Sequence, residues 1–122
     1  MGFLLMCILK RARRIHRAIN KRCFNGELPS IKFNHWRDNE DSAQYQGEYT
    51  ANNDTQAKSY IAVNALHNTN YALLFDTVAH EMVHQFQHIT KGYELGHGGD
   101  FIDMMLSIET EFNITLQVEY DY

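Results

Sequence analysis

The chain has 122 residues, 44% hydrophobic and 12% aromatic, which suits one folded domain with a modest core and is too apolar for a disordered chain. A single Pro, no Pro-, Gly- or Ser-rich stretch and no internal repeat give no reason to divide it, so residues 1–122 are read as one domain. The net charge of −4 hides an asymmetry: seven of the eleven Lys and Arg residues lie between Lys10 and Arg22, and all fifteen Asp and Glu residues follow Gly26.

The start, Met1 to Leu9, is apolar, but its basic residues follow the apolar run, and the run is too short to cross a bilayer. Position 6 is Met, not the Ser or Thr that a myristoylated Gly2 calls for. The expectation is a soluble, cytoplasmic protein. Leu4, Ile8, Ala12, Ile15, Ile19 and Cys23 repeat at helical spacing, with Lys10, Arg14, Arg17 and Lys21 on the opposite face. An amphipathic helix over about 3–24 follows, stopped by Asn25-Gly26 and Pro29. Cys7 and Cys23 fall far apart on this helix and read as core thiols rather than a disulfide.

Three short runs have strand character: Ile31–Trp36, Ala43–Thr50 and Ser59–Asn64, separated by Asn, Asp and Gly clusters. They predict a small, mainly antiparallel sheet of three strands. Helical spacing returns over about 70–91, where Phe75, Val78, Ala79, Met82, Phe86 and Ile89 form an apolar face that Gly92 ends. A last helix is predicted over 99–112, with Phe101, Met104, Met105, Ile108 and Phe112 inward, and 113–122 is a weakly alternating tail. The fold class is α+β: a basic helix (1–25), a sheet and helical core (26–112), and the tail.

The helix over 70–91 contains His80-Glu81-Met82-Val83-His84. Two His residues four apart sit one above the other on one helix face, so both imidazoles can reach one metal ion. That face lies opposite the Phe75/Val78/Met82/Phe86 stripe, which separates chemistry from packing. Glu81 points slightly aside, where it can take a proton from water polarised by the metal. A catalytic zinc site wants three protein ligands and an open position. His88 lies about 12 Å along the axis from His80 and cannot join His80 and His84 on one ion. The longer H-E-x-x-H-x-x-G-x-x-H pattern fails, because Gln87 and Thr90 stand where it needs Gly and His. Glu109 or Glu111 is compatible with spacing alone. His97, in Gly96-His97-Gly98-Gly99, is better placed, since Gly on both sides lets the backbone turn back to the metal.

His80-Glu81-Met82-Val83-His84 followed by Gly96-His97-Gly98 and Phe101 resembles the SprT-like (Spartan-related) zinc metalloprotease domain. Phe24-Asn25-Gly26-Glu27-Leu28 is similar to the family's aromatic-Asn-x-x-Leu element, Trp36 to a Trp that often closes its first strand, and Thr77-Val78-Ala79 to the residues before its motif. The likeness covers about 15–112. It implies a compact zincin fold, one Zn2+ as cofactor, and peptide-bond hydrolysis, with His80, His84 and His97 as ligands and Glu81 as base. The sequence departs from many members in having no Cys after Cys23, so it holds no four-Cys zinc ribbon, and in lacking a Cys near Tyr45.

The expected partner is a protein or peptide substrate that adds as a strand to the edge formed by Ala43–Thr50. Tyr45, Gly47, Tyr49 and Tyr93 are the candidate substrate contacts, and Tyr93, Tyr45 and His88 the candidate oxyanion stabilisers. Lys10, Arg14, Arg17 and Lys21 are candidate contacts to DNA phosphates; a membrane surface and a plain solvated face are the other readings of that stripe. Against the endopeptidase stand a non-catalytic zinc-containing DNA- or protein-binding module and hydrolysis of a non-peptide substrate.

Overall fold

A computed structural model describes residues 2–37, 46–51, 59–91 and 97–116. The amphipathic run forms α1, Gly2–Cys23, which has no acidic residue in its first turn and Lys21 and Arg22 in its last, where positive charge suits the helix dipole. Ala12, Ile15 and Ile19 are buried as the spacing predicts, and full burial of an Ile contributes about 1.5–3 kcal/mol. His16, between them on the same face, is buried too. The helix ends where Asn25 and Gly26 take left-handed backbone (φ 55° and 72°). Asn20 then fixes the returning chain: its side-chain oxygen accepts from Leu28 N–H at 3.0 Å, and its amide donates to the Leu28 carbonyl at 2.8 Å. Phe24 and Leu28 thereby enter the core.

The three strands are β1, Lys32–Trp36, β2, Gly47–Thr50, and β3, Tyr60–Asn64, in the order β1-β3-β2. β3 pairs parallel to β1, Phe33 opposite Ile61, and antiparallel to β2, Tyr49 opposite Ile61. The sheet is therefore mixed rather than mainly antiparallel. Strand signals sit within each run, whereas order and direction come from pairing partners far apart in sequence. As the central strand, β3 is buried from Ile61 to Asn64, and β2 keeps one edge without a strand partner among the described residues. Residues 43–45 of the predicted second strand, Tyr45 among them, lie outside the described residues, as do Tyr93 and 117–122.

α2, Tyr71–Lys91, starts at Asn70, whose side-chain oxygen accepts from Leu73 N–H at 2.9 Å as a helix cap. α3, Gly99–Phe112, ends at Asn113 in left-handed backbone, its N–H bonded to the carbonyls of Glu109 and Thr110. α2 is the centre of the molecule, packed by α1, α3, β2 and β3. Its covering shows that the face expected to carry chemistry is packed as well as the face expected to pack. Leu74 through Gln85 are all buried, because α3 and β2 close over the side that carries the motif. At the far end Arg22 joins α1 to α3. It pairs with Glu111 at 3.3 Å, donates to the Glu111 carbonyl at 2.7 Å, and lies 4.1 Å above the Phe112 ring. Among the described residues, no helix is long and apolar enough to cross a membrane.

Candidate metal centre

Successive turns of α2 place His80 and His84 side by side, 5.0 Å between ring centroids. His97 arrives from just before α3. Its Nε2 lies 3.1 Å from Nε2 of His80 and 3.1 Å from Nε2 of His84. All the ligand nitrogens of the cluster fall within 4.8 Å of one another. Two nitrogens on a tetrahedral zinc, with bonds of about 2.0–2.1 Å, are about 3.3 Å apart, so the spacing suits an ion.

The donor chemistry suits one too. Gln87 Oε1 lies 2.8 Å from Nδ1 of His84. A carbonyl oxygen only accepts, so His84 carries its proton on Nδ1 and its Nε2 presents a bare lone pair. A His97 proton can serve one of its two neighbours, whereas a cation serves all three nitrogens. Burial holds the His84 imidazole below its ordinary 6.5, the Gln87 bond acts the other way, and the charge of His97 lowers it further. The ring is thus kept in the neutral form that binds metal.

Phe101, fully buried, is the floor under this cluster. Its ring centroid lies 4.7 Å from His80, 5.1 Å from His84 and 4.7 Å from His97. The two carboxylates that spacing alone allowed as ligands are occupied elsewhere. Glu109 Oε2 accepts from Leu116 N–H at 2.9 Å, and Glu111 pairs with Arg22. His88 also stands apart, bonded through Nδ1 to the Tyr49 hydroxyl at 2.6 Å.

Glu81 is 1% exposed and turned toward β2. The backbone N–H of Tyr49 donates to its carboxylate, while Oε2 has no hydrogen-bond partner among the described residues. Burial, and then the charge of Glu48, push its pKa well above the ordinary carboxylate value, with the Tyr49 N–H acting the other way. A cation on the neighbouring imidazoles also favours the charged form.

Gly47 makes this approach of strand to helix feasible. A Cβ there would stand 2.5 Å from Thr77 Cγ2, 3.1 Å from the Ala62 carbonyl oxygen and 3.4 Å from Glu81 Oε2. Thr77 in turn donates to Asn68 Oδ1 at 2.7 Å, and Asn68 donates to the carbonyls of Gln46 and Asn64 at 3.0 and 2.8 Å. This buried network ties the start of β2 to α2 beside Glu81. Gln87, Asn68 and Gln46 carry no motif, and the sequence marks only Gln87, three residues after His84.

A model of the SprT-like family matches residues 12–119. The chain belongs to the SprT-like family. A search of curated proteins and a search of solved structures gave no match. For this SprT-like chain, the match begins within α1 and takes in the whole sheet, the His cluster and α3.

The basic face of α1 is laid out as predicted. Lys10, Arg14, Arg17 and Lys21 are exposed and make no ion pair among the described residues. Of the expected substrate contacts, Gly47 and Tyr49 are buried, on the side of β2 that faces α2 rather than solvent. Their side of the strand is the one that packs, so what they offer at the edge is backbone.

Proposed function

We propose that this chain is a zinc-dependent metalloendopeptidase with a zincin-like core. In this reading His80, His84 and His97 hold one zinc ion, and Glu81 is the general base. The observation that carries it is the convergence of three imidazole nitrogens beside a buried carboxylate, one of whose oxygens has no hydrogen-bond partner among the described residues. Bound zinc supplies Lewis acidity, polarising a carbonyl and making water a stronger acid. The chain's own groups do the rest. Gln87 keeps the His84 lone pair on Nε2. The Tyr49 N–H steadies Glu81, leaving Oε2 to take a proton from water and return it to the leaving amine. The edge of β2 that has no strand partner among the described residues suits an extended peptide paired through backbone groups, Gly47 among them, while the Tyr49 N–H stays with Glu81. Tyr45 and Tyr93 are proposed as further substrate contacts.

The test is metal analysis alongside cleavage of an unfolded basic protein. Purified chain should carry one zinc and cleave, while Glu81→Gln keeps the metal and loses cleavage. Equal cleavage by Glu81→Gln would remove the assignment of the base. Undiminished zinc affinity in His97→Ala would remove the third ligand.

A second property is proposed for α1. Its cations Lys10, Arg14, Arg17 and Lys21, which form no ion pair among the described residues, attract polyanions, nucleic-acid phosphates above all, and bring the protease to proteins bound there. Nucleic-acid binding without cleavage of any protein would favour a binding module instead.

A further inference from the structure

Thr77, Glu81 and His88 follow one another on α2 at intervals of four and seven residues, close to one and two helical turns, so they share one stripe of the helix. Each of the three meets β2 or the residue before it. Thr77 donates to Oε1 of Gln46, which precedes the strand, at 3.3 Å. Glu81 accepts the backbone N–H of Tyr49. The Tyr49 hydroxyl and Nδ1 of His88 share a hydrogen bond of 2.6 Å, with 5.7 Å between their ring centroids. The strand is thus tied to the helix on both sides of Glu81, through Gln46 at its start and through Tyr49 near its end.

The tie to His88 bears directly on Glu81, because one residue makes both bonds. Tyr49 gives its N–H to the carboxylate and shares its hydroxyl with His88, so α2 holds the backbone and the side-chain tip of this buried residue two turns apart. β2 has four residues and one strand neighbour, β3, among the described residues. Few ladder bonds fix so short an edge strand, and segments of this kind are the ones that open locally.

Glu81 depends on that strand. It is buried, and its Oε2 has no hydrogen-bond partner among the described residues. A buried carboxylate is costly unless donors hold it, so whatever steadies the Tyr49 N–H steadies Glu81. The sequence offers His88 as an oxyanion stabiliser; the structure commits its Nδ1 to β2.

We propose that His88 is a positioning residue for Glu81 that acts through Tyr49. By holding the hydroxyl it keeps the Tyr49 N–H on the carboxylate. This inference rests on the reading of Glu81 as general base.

The test pairs cleavage kinetics with amide hydrogen exchange on the intact chain supplied with zinc. Tyr49→Phe removes the hydroxyl and keeps the ring, and His88→Ala removes its partner. Each should lower kcat by about tenfold, the worth of one hydrogen bond, and leave KM within about twofold. His88→Asn, which carries a hydrogen-bonding atom near the place of Nδ1, should recover most of kcat. The double variant Tyr49→Phe/His88→Ala should be no slower than the slower single variant, because the pair acts as a unit. Exchange of the Tyr49 amide should quicken by about tenfold in both single variants. Exchange at Val78, buried on α2, should keep the parent rate, which separates lost positioning from a loosened fold. Circular dichroism establishes that the variants stay folded. Parent-like exchange at Tyr49, parent-like kcat, or additive losses in the double variant would each overturn the proposal. A parent chain that cleaves nothing would remove the protease reading, and the exchange rates would still decide whether His88 holds the Tyr49 N–H in place.

Discussion

Gln87 Oε1 accepts a hydrogen bond from Nδ1–H of His84 at 2.8 Å, one turn beyond the motif that contains His84. The bond decides which ring nitrogen is free to face His97. Gln87→Ala should therefore lower zinc affinity by about 10- to 100-fold, as loss of a partner to a metal-ligating His does. Gln87→Glu keeps an acceptor and should retain most of the affinity. Competition against a chromophoric chelator reads both, and parent-like affinity in Gln87→Ala would show that the tautomer is set elsewhere.

Gly47→Ala drives a methyl into Thr77 Cγ2 and close to the Ala62 carbonyl and Glu81 Oε2. The expected cost is about 1–3 kcal/mol, typical of overpacking, together with reduced cleavage as β2 moves off Glu81. Adding Thr77→Ser removes Cγ2 but keeps the hydroxyl that bonds Asn68, and should recover part of both losses. Urea unfolding and peptide cleavage measured on the same preparations check this; a double variant no better than Gly47→Ala would place the strain elsewhere.

Phe101→Ala should cost about 3–5 kcal/mol, because it empties a fully buried site. It should also weaken zinc binding, since the ring supports all three imidazoles. Phe101→Leu fills more of the space and should lose less of each. Unchanged zinc affinity in folded Phe101→Ala would separate packing from metal binding.

His16 gives the fold a pH dependence of known sign. Its Nε2 lies 2.9 Å from Gln85 Oε1, while the Gln85 amide donates to the Pro29 carbonyl at 3.0 Å, so the neutral ring donates from Nε2. Burial lowers its pKa below 6.5, the Gln85 bond partly opposes this, and Arg17 adds to the lowering. Between the folded and unfolded values the unfolded chain binds more protons, so stability rises with pH. The contribution is complete above 6.5 and is lost as pH falls through the folded value. His84 has the same sign in metal-free protein, so the comparison is with His16→Gln. Metal-free parent should lose more stability between about pH 8 and pH 5.5 than His16→Gln does. Equal losses in chemical denaturation would contradict the assignment.

What could be read from the sequence follows the range of the interactions. The three helices were legible because their periodicity is local, and Ala12, Ile15, Ile19, Phe101, Met105 and Ile108 are buried as their spacing requires. His80 and His84 were legible for the same reason, and His97 because glycines flank it. His16 was legible in principle, lying four residues after Ala12 and three before Ile19, but the surrounding Arg residues masked it. The insertion of β3 between β1 and β2 rests on pairings that no single run displays. Gly47 read as one residue of a strand face, yet its requirement comes from Thr77, thirty positions on. Gln87 read only as the place where a longer motif breaks; its bond to His84 Nδ1 depends on side-chain direction.

The burial of α2 on every side between Leu74 and Gln85 bears on how such a site can diversify. His80 and Glu81 are 0% and 1% exposed, and the adjoining Met82 and Val83 are 0% and 1%. One turn of helix therefore serves as both core and candidate metal site, so nearly every substitution in it is answerable to folding before it can affect anything the site does. New preferences for substrate have more room to arise where the chain is answerable to less: the outer edge of β2 and the exposed surface of α1.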